Sequence, residues 1–149
     1  MIYKNVESVF DLYPEAIAHP VNCIGISHDP LSKKIKKIWP DYYREYVRAC
    51  VRKKFLPYCT YYYTINSLFG TGHIITMTIR KNWQERLQQE TMRMTIESLI
   101  SHCAENKILT IAIPIIDNIP QRWFEAELEK SASKIEKSTL KAVLFFENC

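Results

Sequence analysis

With 149 residues, 47% of them apolar, the chain is long enough to close one core without disulfides or metals to hold it. No apolar run nears the roughly 20 residues of a bilayer span, and Met1-Ile-Tyr-Lys-Asn-Val-Glu-Ser8 lacks the apolar segment of a secretory signal. Five scattered cysteines without a C-x-x-C pair, and four scattered histidines, speak against a disulfide framework or a metal site.

One soluble domain over residues 1–149 is therefore expected. It should be cytoplasmic, free of the membrane, and in need of neither cofactor nor metal. The net charge of +4 is uneven. Residues 33–54 carry nine of the 20 basic residues and only two of the 16 acids, leaving an acidic remainder. Such asymmetry suits a polyanionic partner, nucleic acid or an acidic protein, although a solvated helix face gives the same pattern.

In chain order, residues 2–9 make a weak edge strand. The nearly continuous apolar runs 16–23 and 109–114 read as strands buried on both faces. Between the first of these and a basic helix, Asp29-Pro30 has the chemistry of a helix N-cap followed by N1. Tyr43, Tyr46, Val47, Cys50 and Val51 repeat at helical spacing within 40–53. Residues 58–65, 73–77 and 142–146 read as strands. Met92, Ile96, Leu99, Ile100 and Cys103 mark a helix from about 84 to 105, and Phe124, Leu128 and Ile135 a last one from 121 to about 137. Strands separated by helices predict an α/β fold with a mixed sheet covered on both faces, whose ligands bind beyond the carboxyl ends of the strands.

Several stretches resemble the macrodomain family: Ala18-His-Pro-Val-Asn-Cys-Ile-Gly25, Lys34-Ile-Lys-Lys-Ile-Trp-Pro40, Asp41 to Cys50, Ile79-Arg-Lys-Asn-Trp83 and Ala112-Ile-Pro114. They are most similar to the branch of ADP-ribosyl glycohydrolases acting on modified DNA bases or acidic side chains. The resemblance implies a three-layer α/β/α fold with ADP-ribose, or an ADP-ribosylated macromolecule, lying across the carboxyl edge of the sheet. It implies ligand roles for Asn22, with Cys23 and Gly25 following as the pattern asks, for Ile26, Ser27 and His28 in the first phosphate loop, and for Asn118, while Trp83 either walls the pocket or anchors the long helix.

The chain departs from the family at four places. Ser8, beside Glu7, stands where an adenine-reading aspartate is expected. The Gly-x-Gly of the first loop is His28-Asp29-Pro30, which removes an amide donor and adds a negative charge. The second glycine-rich loop is replaced by Ile115 to Trp123, without glycine. Arg80 takes the position of the reactive lysine, and a guanidinium clamps anions but does not act as an amine nucleophile. The candidate catalytic residues are then Lys81 and Asp117, each with a plainer alternative: an exposed lysine, and turn chemistry in Asp117-Asn118. Three readings stay open: a hydrolase with rearranged groups, a non-catalytic reader of an ADP-ribose-type ligand, and an interaction protein using the basic surface.

Overall fold

The computed structural model describes residues 1–66, 70–135 and 138–148. Six strands, β1 (Ile2–Val6), β2 (Ala16–Asn22), β3 (Thr60–Thr64), β4 (His73–Arg80), β5 (Thr110–Pro114) and β6 (Ala142–Phe146), form one sheet in the order β1-β6-β5-β2-β4-β3. β3 runs antiparallel to β4; the other pairings are parallel. Helices α1 (Pro30–Ile38) and α2 (Pro40–Val51) cover one face, and α3 (Gln89–Glu105) and α4 (Gln121–Ser133) the other. The result is a mixed three-layer α/β/α fold.

The two faces follow from alternation along the central strands. In β2, Ala16 and Ala18 point toward α3 and α4, while Ile17 and Val21 join the α1/α2 side. In β4, Ile75, Met77 and Ile79 take the first side and Ile74 the second. Met92, Ile96, Leu99 and Ile100 of α3 are completely buried, each worth on the order of 1.5–3 kcal/mol of transfer free energy.

Asp29 caps α1 as its sequence predicts: Oδ2 accepts from the Ser32 amide at 3.1 Å, and Pro30 occupies N1. Pro40 begins α2 after Trp39 leaves helical geometry (φ −126°, ψ 69°), because a proline disfavours the helical region for the residue before it.

Boundaries differ from expectation where tertiary hydrogen bonds win. β4 continues to Arg80, three residues beyond the expected end, through its parallel pairing with β2. α3 starts at Gln89 rather than near 84. Residues 80–85 instead form a turn in which the Glu85 carbonyl accepts from Arg80 Nε at 3.0 Å, and the Glu85 carboxylate accepts from the Tyr58 hydroxyl and the Lys81 amide. β3 starts at Thr60 because Tyr58 takes a positive φ of 63°. β1 ends at Val6, and residues 10–12 form a 3-10 turn. α4 ends at Ser133; its expected end near residue 137 lies outside the described residues.

Candidate functional site

The carboxyl ends of β2, β4, β5 and β6 open into a cleft of about 780 Å³ whose lining includes Asn22, Asp29, Arg80, Trp83, Asp117 and Asn148. This is where a predominantly parallel sheet places its ligands, since the strand ends and helix starts leave backbone groups directed at the loops.

Asn22 ends β2 and is nearly buried. Its Oδ1 accepts from the amides of Ile24 (2.9 Å) and Gly25 (3.2 Å), and its Nδ2 donates to the Ile26 carbonyl at 2.8 Å. The side chain therefore shapes the loop, with one Nδ2 hydrogen left for a ligand. Gly25 has φ +90°, and an added Cβ would lie 3.1 Å from that of Cys50, so glycine is required here.

Ile26, Ser27 and His28 line the cleft. Cys23 does not. Burial, then Glu85 and Cys59, push its thiol pKa up, and burial pushes Cys50 to about 11 and Cys103 to about 12. These three thiols thus lack the thiolate character of a nucleophile.

Arg80 lines the cleft with Nε fixed by Glu85. Lys81 is exposed on the following turn and is not part of the lining, so the structure does not bring this candidate catalytic group to the cavity. Trp83 is 65% exposed and lines the cleft, forming a wall rather than anchoring α3.

Asp117 lines the cleft as an exposed carboxylate. Asn118 stands outside it with φ 67°, inside a turn closed by the Ile119 amide on the Ile116 carbonyl at 3.1 Å. Asparagine tolerates this left-handed conformation, so the turn chemistry of the pair is realised. Ser8 donates to Asp11 Oδ2 at 3.0 Å and borders a side cavity of about 70 Å³, which shares Glu147 and Asn148 with the main cleft.

Sequence reasoning missed Glu147, Asn148, His19 and Ser32. The first two follow β6, and applying the carboxyl-end rule to that strand as well would have found them. His19 has no side-chain exposure in the middle of β2; Nδ1 lies 2.9 Å from the Tyr42 hydroxyl and Nε2 2.7 Å from Ser32 Oγ. Burial lowers its pKa to about 4, against a smaller upward pull from Asp29, so the ring is neutral. Burial pushes the Asp29 carboxyl up, but hydrogen bonds from Ser27, Ser32 and Asn148 outweigh it and hold the pKa below the usual value. No group of three or more metal-ligating side chains converges among the described residues, and no described helix is long and apolar enough to cross a membrane.

Residues 18–118 match the family model described as Macro domain. A DNA ADP-ribosyl glycohydrolase of Thermus aquaticus is 25% identical over 100 residues, 67% of this chain but 28% of that protein, so the chain spans little more than a quarter of this curated relative. Among solved structures, the macrodomain of Mycobacterium tuberculosis DarG superimposes with a TM-score of 0.85 at 21% identity, covering 97% of both chains. Thermosipho africanus DarTG in complex with ADP-ribose gives 0.77 at 14% identity, covering 97% of this chain and 41% of that one. Sheet order, cleft position and a family match across two thirds of the sequence converge on one assignment: this chain belongs to the macro domain family.

Proposed function

We propose that the cleft recognises an ADP-ribosyl group carried by a macromolecule, with nucleic acid as the favoured carrier. The observation that carries this reading is the large cleft at the carboxyl edge, where Asn22, Arg80 and Trp83 supply a hydrogen-bond donor, a guanidinium and an aromatic wall. The similarity to a DNA ADP-ribosyl glycohydrolase and to a structure holding ADP-ribose supports the ligand class. Isothermal titration of the chain with ADP-ribose tests it; no heat at millimolar ligand overturns it.

Removal of the group is the extension of this proposal. Asp117, as a cleft carboxylate, is the candidate general acid or base, and Arg80 is suited to clamp an anionic oxygen. Lys81 requires the 81–85 turn to reorganise before it reaches a ligand, so it is the weaker candidate. Incubation with ADP-ribosylated DNA and protein separates hydrolase from reader, and turnover that survives both Asp117→Ala and Lys81→Ala refutes these roles.

Nucleic acid is favoured over an acidic protein by the position of part of the basic segment. α2 returns to the carboxyl edge, where the Tyr46 hydroxyl donates to the Asn22 carbonyl at 2.9 Å, and exposed Arg52, Lys53 and Lys54 follow its end. Cys23, Cys50, Cys59 and Cys103 carry free thiols, which supports a reducing, cytoplasmic setting.

A further inference from the structure

The first turn of α1 has no backbone donor left for a ligand. A helix start ordinarily offers amides without internal partners, the basis of anion binding there. Here Pro30 has no N–H, the Leu31 amide donates to Asn148 Oδ1 at 2.9 Å, the Ser32 amide to Asp29 Oδ2 at 3.1 Å, and the Lys33 amide to the Asp29 carbonyl at 3.2 Å. Asn148 Nδ2 also donates to Asp29 Oδ2, at 3.1 Å. The chain's own Asp29 and Asn148 take up the amides that a helix start would otherwise offer to an anion.

Proton counting links this half-buried carboxylate to the core. Ionised Asp29 only accepts, so Ser27 Oγ, 2.6 Å from Oδ1, spends its proton there. The Ser27 and Ser32 hydroxyl oxygens are 2.7 Å apart and need a proton between them, which must be that of Ser32. Ser32 Oγ therefore accepts from His19 Nε2, and His19 Nδ1 accepts from the Tyr42 hydroxyl. Tyr42 in turn accepts from Thr76 Oγ1 at 2.6 Å. Reversing the chain requires a protonated Asp29 and the other histidine tautomer. Charge at the cleft and tautomer in the core are one coupled state.

Among the described residues, the lining holds no lysine, and His28 is the titratable side chain next to Asp29. Three carboxylates, Asp29, Asp117 and Glu147, share the described lining with one guanidinium, that of Arg80.

We propose that Asp29 sets the ligand specificity of the cleft: its fixed carboxylate stands where α1 would otherwise receive a phosphate. The cleft then holds an ADP-ribosyl group by its nucleoside and ribose parts with the diphosphate displaced from α1, and favours a nucleoside over a ligand whose diphosphate presses against that helix start. This rests on the reading of the cleft as a site for an ADP-ribosyl group. It weakens the binding of free ADP-ribose without abolishing it at millimolar concentration, because two negative groups at that spot repel.

Asp29→Asn tests the assignment without dismantling the helix, since asparagine caps as well as aspartate does. Titration of the wild type and the variant with ADP-ribose and with adenosine should show ADP-ribose binding tightened roughly tenfold or more by the change, with adenosine affinity unaltered. A second measurement needs no variant. Wild-type affinity for ADP-ribose should hold or rise as salt is added, because screening weakens the repulsion; a steep fall overturns the proposal. Unchanged or weakened ADP-ribose binding in Asp29→Asn, or an equal gain for adenosine, also overturns it. Tight wild-type binding of ADP-ribose that Asp29→Asn leaves alone sinks this assignment while the proposed function stands. Absence of any binding in both proteins sinks both.

Discussion

His19 is held in a state that free histidine in water leaves at mildly acidic pH. Its two ring nitrogens are committed to Tyr42 and Ser32, and burial keeps it neutral down to about pH 4 against an ordinary value of 6.5. The unfolded chain therefore takes up a proton below pH 6.5 that the native chain refuses. The stabilisation is complete above that pH and is lost as pH falls toward 4, by about 2 kcal/mol at pH 5. Thermal unfolding between pH 7 and pH 5 should show a falling midpoint in the wild type and a shallower slope in His19→Gln; parallel slopes would contradict the account. Nothing local in Ala18-His-Pro marks this role, because Tyr42 and Ser32 are distant in sequence and adjacent only in the fold. Asp29-Pro30, by contrast, was readable at once: an N-cap acts within its own turn. That its other oxygen is fixed by Ser27, and that Asn148 shares the cap, was not readable.

At the scale of elements, periodicity told buried from exposed positions well in α3 and less well at strand ends. Leu99 is fully buried between α3 and the sheet, whereas Leu109, expected inside a buried strand, precedes β5 and is 45% exposed. Leu99→Ala should cost about 2–5 kcal/mol in urea unfolding, and Leu109→Ala about 0.5 kcal/mol or less. A comparable loss in both would mean that the α3 side of the core is not packed as described. The late start of α3 has a nameable cause. Residues 84–88 carry no residue that forbids a helix, but Glu85 bonds Arg80, Lys81 and Tyr58 in the turn instead. Arg80 and Lys81 lie within five residues of Glu85, but Tyr58 is 27 residues away, out of reach of a window-based reading.

At the scale of the whole molecule, the basic segment divides into two parts with different prospects. Pro30 borders the cleft, and α1 carries Lys36 and Lys37 away from it by roughly 10 Å at 1.5 Å per residue. Arg44 and Arg48 pair with Asp41 and Glu45 on the surface of α2. Arg52, Lys53 and Lys54 follow α2, whose Tyr46 donates to the Asn22 carbonyl at the carboxyl end of β2. If nucleic acid presents the ligand, replacing these three by alanine should lower the slope of log affinity against log salt by about two to three. Replacing Lys36 and Lys37 should lower it far less. Equal effects from both sets would point to diffuse attraction rather than a path leading to the cleft.

The order of the elements, the burial of β2 and β5, the helical core stripes and the capped start of α1 were all legible in the amino-acid order. Each of these depends on residues within a few positions of one another, where periodicity and capping act. Which side chains meet at the carboxyl edge followed from tertiary packing: Asn148 against α1, Glu85 against Tyr58, and His19 linked through two serines to Asp29. Such contacts join positions up to 119 residues apart. They arise only when the parallel strands line up their ends, and no local rule can assign partners across a sheet before that sheet exists.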